Sequence, residues 1–369
     1  MLRSTLIDLD TLFQALQERG FRLLGPVSDD ASVSIGEISS TLDLAKGWTA
    51  EHQPGHIHWQ QGNGDSFFDY ASLLDGWKRF VFPAHEHLWN AENSEFRAVK
   101  PEVQPLALIG PRACDIAALE ILDRVFLQDP VPDMHYEARR ESLFIVAVEC
   151  ASAASTCFCS AMGSGPEVRQ GADIVLFELN DSSGHRFLTR AASERGRELL
   201  ETLHLSASSH ADIECSHRSL AKVSQATAWP AAGNIPQHAE PVHYQHENWE
   251  KIAERCLSCT NCTLVCPTCF CFDLVHGGGV SGPKGCDRQW SSCFDCQHSY
   301  IHGGVVRGTI ASRYRQWMMH KLVTWHDQFD TSGCVGCGRC ISACPAGIDL
   351  RQEAERIFTQ GKEGQHAES

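Results

Sequence analysis

Two cysteine runs carry the most specific chemistry in the chain. CLSCTNCTLVCP places Cys256, Cys259, Cys262 and Cys266 ahead of Pro267, and CVGCGRCISACP places Cys334, Cys337, Cys340 and Cys344 ahead of Pro345. Both obey C-x2-C-x2-C-x3-C-P, a spacing that holds 4Fe–4S cubanes. Such a cluster needs four thiolates in a tetrahedron. Three come from one tight loop whose backbone N–H groups face the sulfurs; the fourth opens the next helix before proline turns the chain away. In paired runs of this kind the fourth cysteine serves the other cluster. The expected ligand sets are therefore Cys256, Cys259, Cys262 and Cys344 for one cluster, and Cys334, Cys337, Cys340 and Cys266 for the second. Gly336 and Gly338 suit the task, because residues without a β-carbon let the backbone close on a cluster. Structural zinc is the alternative, but zinc usually takes paired C-x2-C knuckles and not a triple run ending in C-P.

Ten of the 18 cysteines lie outside these runs. Cys114, in GPRACD, falls at a strand-to-helix turn, where helix N-terminal N–H groups are expected to lower a thiol's pKa. Cys150 ends an apolar run, and Cys157 and Cys159 follow in STCFCSAMGSGP, a loop of small residues. Parallel strands of an α/β sheet end on one edge, where ligands usually sit. That edge could gather Cys114, Cys150, Cys157 and Cys159 around a third cluster or a zinc ion; the alternative is buried free cysteine. Cys269 and Cys271 in PTCFCFD, with Cys293 and Cys296 in SSCFDC, form a further metal site or pack around the two cubanes. Cys215 and Cys286 have no evident partner.

A chain of 369 residues has room for two or three domains, and its 43% hydrophobic and 21% charged residues are ordinary for a globular protein. A net charge of −15 argues against nucleic acid as a partner, since phosphate binding needs a basic face. Abundant cysteine without a secretory leader indicates metal or redox use and not a disulfide scaffold. The N-terminus lacks a basic region followed by an unbroken apolar run, and no stretch approaches the roughly 20 apolar residues that span a bilayer. A soluble, cytoplasmic protein is expected.

The elements that must position the cysteines fall into an α/β domain over residues 1–205, a linker over 206–246, an α-rich two-cluster ferredoxin-like domain over 247–357 and a tail over 358–369. Helical spacing runs from Thr5 to Arg19, and FRLLGPV, the stretch through Ile38 and Phe80-Val81-Phe82-Pro83 read as strands. PLALIG, ESLFIVAVEC and ADIVLFEL read as buried strands, IAALEILDRVFL as a helix, and Ala191 to Leu205 as another; the alternation indicates a largely parallel sheet. The Ser-, Ala-, His- and Pro-rich stretch that follows reads as the linker, and Trp249 to Arg255 as a short helix. Between the runs, residues 267–333 far exceed what two clusters require. They end in SRYRQWMMHKLVTWHDQF, where Tyr314, Trp317, Met318, Leu322, Trp325 and Phe329 recur at helical spacing. This amphipathic helix either covers the clusters or offers Arg307, Arg313, Arg315 and Lys321 to an acidic partner.

Taken in order, GPRACDIAALEILDRVF, the CFCSAMGSGP loop, CLSCTNCTLVCPTCFCFD, YIHGGVVRG, SRYRQW and SGCVGCGRC resemble the β subunit of soluble cytoplasmic nickel–iron hydrogenases of the sulfhydrogenase type, and the related A subunit of anaerobic sulfite reductase. The resemblance covers roughly residues 105 to 355. It implies an iron–sulfur electron-transfer subunit of a hetero-oligomer, beside a flavoprotein diaphorase subunit that handles NAD(P)H and the hydrogenase small and large subunits. The residues it carries over are the eight cysteines of the two runs.

The leading expectation is thus a relay of single electrons and not a self-sufficient catalyst. No G-x-G-x-x-G fingerprint and no P-loop is present. The alternatives are an electron-input subunit of sulfite reductase, or reduction of polysulfide or a disulfide at a third cluster in the N-terminal domain.

Overall fold

The computed structural model describes residues 4–92, 95–128, 130–277 and 284–359. The tail expected at 358–369 lies, from residue 360 on, outside the described residues.

The run LFIVAV has no polar face because both of its faces are buried. Leu143, Ile145 and Ala147 point into one apolar core, and Phe144, Val146 and Val148 into the other. Leu143–Val148 pairs in parallel with Leu106–Ile109 on one side and with Ile174–Asp181 on the other, and Leu106–Ile109 pairs in parallel with Arg22–Ser28. Antiparallel strands extend this parallel centre on both sides. The eight-stranded order is Ser206–Ala207, Ser4–Leu6, Gly184–Ala191, Ile174–Asp181, Leu143–Val148, Leu106–Ile109, Arg22–Ser28 and Val33–Ile38. The sheet is mixed and not largely parallel. The helix Ala113–Leu127 crosses over from Leu106–Ile109 to Leu143–Val148. The next crossover, residues 149–173, holds no helix and carries Cys150, Cys157 and Cys159.

Several elements depart from expectation. The first helix spans only Leu9–Gln17, capped by Asp8, because Ser4–Leu6 joins the sheet. Phe80 to Pro83 is not a strand: Trp77–Phe80 is a 3₁₀ turn that drives Val81 and Phe82 into the core. Residues 184–191 pair as a strand, so the helix expected from Ala191 shortens to Glu194–Glu201. The linker expected over 206–246 contains the 17-residue helix His210–Ala226. Its Leu220 packs on Phe177, Leu179 and Leu188 of the sheet. Ser209 caps it by accepting from the Asp212 N–H at 3.1 Å.

The stretch between the cysteine runs does not stay with them. Phe272–Gly277 and Lys284–Trp290 pair with each other, and the second pairs with His85–Glu92 from the first hundred residues, which in turn pairs with Glu95–Ala98. Arg288, buried among Phe82, Phe126 and Phe272, bonds Glu86 and Asp133. Glu86 also accepts from His135 Nδ1 at 2.9 Å. The cysteine-rich part is therefore not purely helical, and it shares a sheet with the N-terminal region.

Candidate metal centres

Both cysteine runs adopt one backbone. In the second, Gly336 and Gly338 take φ of +61° and +74°; in the first, Ser258 and Thr260 take φ of +53° and +68° at the matching positions. The second of each pair caps a short helix, Asn261–Leu264 or Arg339–Ser342. In each loop an amide two residues on points at the first sulfur: Ser258 N–H to Cys256 Sγ and Gly336 N–H to Cys334 Sγ, both at 3.4 Å. A left-handed conformation costs a residue with a β-carbon roughly 1–2 kcal/mol, so the first run holds strain that the second avoids. The sequence signals Ser258 and Thr260 only when CLSCTNC is aligned on CVGCGRC, which puts them on the two glycines.

Cys256, Cys259, Cys262 and Cys344 line one cavity, walled by Phe294, Tyr314, Trp317, Ile348 and Leu350. Cys344 comes from the second run, and its sulfur accepts from the Ile348 N–H at 3.4 Å. Burial raises the Cys262 thiol above its ordinary range, and Cys256, Cys344 and Cys259 reinforce it. The second group gathers Cys334, Cys337 and Cys340 with Cys266 from the first run: burial, then Cys334, Cys337 and Cys266, raise the Cys340 thiol. Burial also pushes Cys334 up to about 12, against the pull of Lys321. The Cys266 thiol is held low by a hydrogen bond from Cys269, and Lys321 acts in the same direction. Lys321 Nζ donates to Cys266 Sγ at 3.2 Å. Cys340 also lines the first cavity, so the two groups share a wall.

Four soft thiols around an apolar, amide-lined hollow are a donor set suited to an iron–sulfur cubane. Among the described residues, no three His, Cys, Asp or Glu side chains converge as a single ion requires.

The N-terminal cysteines come to the second group and not merely to one another. Cys114 and Cys159 pack in one buried cluster with Cys337, Val335 and Trp325. Cys150 acts electrostatically on both Cys157 and Cys159. The loop bearing Cys157 and Cys159 is fastened to the second run. Phe158 N–H donates to Gly336 O at 2.8 Å, the Cys157 thiol to Cys337 O at 3.8 Å, and Ser164 Oγ to Val335 O at 2.6 Å. A β-carbon on Gly336 or Gly338 would lie 2.5 Å from Phe158 O or 2.4 Å from Thr156 O, so close approach is what these glycines permit. The expected lowering of Cys114 by its helix does not occur. Burial, then neighbouring Asp115, raise that thiol well above its ordinary range. Burial likewise pushes Cys157 up to about 12 and Cys159 up to about 11.

The remaining four divide between separate contacts. Cys269 is hydrogen-bonded to Cys266. Cys271 is pulled down to about 4, first by its hydrogen bond with Cys293 and also by His298. Cys296 is exposed, with Gln297 Nε2 at 3.8 Å. Cys286 is buried in the strand Lys284–Trp290, and Cys215 packs on the cluster around Leu220.

The helix between the runs is broken into Ile310–Met319, a π-helical segment His320–Thr324, and Trp325–Phe329. Its aromatic face covers the first cavity through Tyr314 and Trp317. Three of the four basic residues are engaged by the chain itself. Arg313 is buried and donates to Arg307 O, Gly308 O and Ser258 Oγ; Arg315 donates to Tyr244 O at 2.6 Å; Lys321 is buried.

Residues 255–348 match a family model described as a 4Fe-4S dicluster domain. Over 355 residues, 95% of this chain and 95% of the relative, the sequence is 29% identical to "Sulfhydrogenase 2 subunit beta" of Pyrococcus furiosus. No solved structure matches. Among the described residues no helix is long and apolar enough to cross a membrane. The sulfhydrogenase β resemblance therefore extends over nearly the whole chain, including the first hundred residues, and the C-terminal part is a 4Fe-4S dicluster domain.

Proposed function

We propose that this relative of the sulfhydrogenase β subunits, an iron–sulfur electron-transfer subunit, relays single electrons between a flavoprotein subunit that handles NAD(P)H and the small and large subunits of a nickel–iron hydrogenase. The observation that carries the reading is adjacency: Cys340, from the second thiol group, lines the cavity of the first. When bound, the cubanes supply one-electron chemistry, with potentials set by burial and by hydrogen bonds to sulfur.

The chain's own residues do the rest. Cys256, Cys259, Cys262 and Cys344 would hold one cluster, and Cys334, Cys337, Cys340 and Cys266 the other. Phe294, Tyr314 and Trp317 keep water from the first. The amides of Ser258, Gly336 and Ile348 donate to ligand sulfurs, draw negative charge from them and ease reduction. Loading releases protons, because buried thiols of raised pKa must deprotonate to bind metal.

Cys114, Cys150, Cys157 and Cys159 would carry a third cluster that extends the path into the N-terminal domain. Packing of Cys114 and Cys159 on Cys337 supports this. Burial of Cys114, Cys157 and Cys159 weighs against polysulfide reduction there. Iron and sulfide counting on anaerobically purified protein tests the assignment. Three clusters give about twelve irons per chain, falling to about eight in Cys159→Ala. A value of about eight in both proteins returns the quartet to core packing. Co-purification of nickel and a flavoprotein supports the hydrogenase setting. Co-purification of siroheme instead places the chain in a sulfite reductase.

A further inference from the structure

The two thiol groups share a backbone but not a charge environment. At the first, the fourth cysteine is followed by Pro345 and Ala346; at the second, by Pro267 and Thr268. Thr268 Oγ1 lies 3.2 Å from Cys266 Sγ and accepts from Lys321 Nζ at 2.8 Å. The same ammonium is 3.2 Å from Cys266 Sγ, and its residue is only 5% exposed.

Burying an ammonium costs several kcal/mol unless negative charge lies against it, and here the contact is a ligand-set sulfur. The geometry is fixed at both ends. The π-helical segment leaves Lys321 O to accept from Gly333 N–H at 2.8 Å and Ser332 Oγ at 3.0 Å, in the turn that leads into Cys334. π-bulges recur at functional sites because they re-aim one residue within a helix. A second buried lysine stands behind the first: Lys78 Nζ donates to Cys269 O at 3.0 Å and lies over the Trp290 ring. The nearest counterpart at the first group, Arg313, reaches Ser258 Oγ at 3.4 Å and donates otherwise to backbone carbonyls.

We propose that Lys321 is a potential-setting residue, whose buried ammonium against Cys266 makes the second cluster more readily reduced than the first, so that an electron entering the pair rests on the side facing the N-terminal domain. This rests on the reading that both thiol groups hold cubanes. Adding an electron adds negative charge to the cluster and its thiolates. A fixed cation in contact with one of those sulfurs, in a low-dielectric interior, stabilises the reduced form more than the oxidised one. Of the ligand set Lys321 Nζ touches the Cys266 sulfur, its other contact being Thr268 Oγ1, and it takes no part in electron transfer itself.

The test is an EPR-monitored redox titration of the anaerobically purified full chain. In wild-type protein the signals of the two dicluster groups should have different midpoints, and of these two Cys266→Ser should alter the one of higher potential. Lys321→Met should lower that midpoint by at least about 59 mV, a tenfold loss in the one-electron reduction equilibrium, and leave the other signal in place. Lys321→Arg, which keeps the charge, should restore most of the difference. Lys321→Gln serves as a second neutral variant should Lys321→Met fail to retain the second cluster. Midpoints unmoved in the neutral variants, shifted equally, or shifted only for the signal insensitive to Cys266→Ser overturn the proposal. A wild-type chain that binds no iron defeats the prior reading instead, and iron content distinguishes the two failures.

Discussion

Arg339 Nη2 lies 2.6 Å from Asp115 Oδ1, both side chains nearly fully buried, across 224 residues of sequence. The pair joins the residue before Cys340 to the residue after Cys114. It is the charged link between the dicluster loop and the N-terminal helix that starts at Ala113. Asp115 also accepts from the Arg112 N–H at 2.9 Å, capping that helix, and Arg339 donates to Leu73 O. Removing one partner of a buried pair leaves the other uncompensated, a loss of about 3–5 kcal/mol. Asp115→Asn should destabilise the protein by that order in denaturant unfolding, and the iron of the second group should be lost first. Asp115→Leu combined with Arg339→Met should recover much of the loss, since two apolar groups leave no orphaned charge. An Asp115→Asn protein as stable as wild type would show that the pair contributes only geometry.

The crosswise arrangement makes a separate prediction. Cys262 and Cys344 line the same cavity although they lie in different runs. Cys262→Ser and Cys344→Ser should therefore extinguish the same EPR signal, while Cys334→Ser extinguishes a different one. Loss of different signals in the first two variants would sink the exchange of fourth ligands.

What could be read in the sequence follows from how local each signal is. Ligand spacing in the two runs is local, and so is the unbroken apolar run of Leu143–Val148, so both were legible. His210–Ala226 was not, because only Leu220 and Val223 of its apolar residues are buried and its polar remainder matches a linker in composition; the Ser209–Asp212 cap was the available sign. The strand Phe272–Gly277 is exposed along its length, and the sheet it belongs to continues in His85–Glu92, nearly two hundred residues earlier. Nothing near either segment in sequence reports that pairing. On an unbroken helix Lys321 reads as surface charge, whereas it is buried within the π-helical segment.

The glycines of the second run separate conformational strain from contact. Gly338 has φ of +74°, and a β-carbon there would sit 2.4 Å from Thr156 O; Gly163 has φ of +68° with nothing within 4 Å of such an atom. Gly163→Ala should cost only the left-handed penalty, roughly 1–2 kcal/mol. Gly338→Ala carries the same penalty and must also displace the loop bearing Cys157 and Cys159. Its iron content should fall while that of Gly163→Ala stays at the wild-type value. Thr260, at the matching position of the first run with φ of +68°, already tolerates a side chain, so conformation alone does not account for the difference. Equal iron in the two variants would mean that the loop yields without consequence.

His52 gives a pH dependence of known sign. Its residue is 2% exposed, Nδ1 lies 3.2 Å from Ser342 Oγ, and burial, assisted by the Arg339 charge, lowers its pKa to about 4. In the unfolded chain the imidazole titrates near 6.5. Between those values the unfolded state binds a proton that the folded state refuses, so stability rises with pH across this window. The contribution is whole above pH 6.5 and is lost as pH falls toward 4. At pH 5 it amounts to a loss on the order of 2 kcal/mol relative to neutral pH. Cluster loss in acid acts on any variant alike, so the comparison is with His52→Gln, which has no proton to gain. Denaturant midpoints at pH 7.5 and 5 should fall further for wild type than for His52→Gln. Parallel declines would show that His52 already carries its proton in the fold.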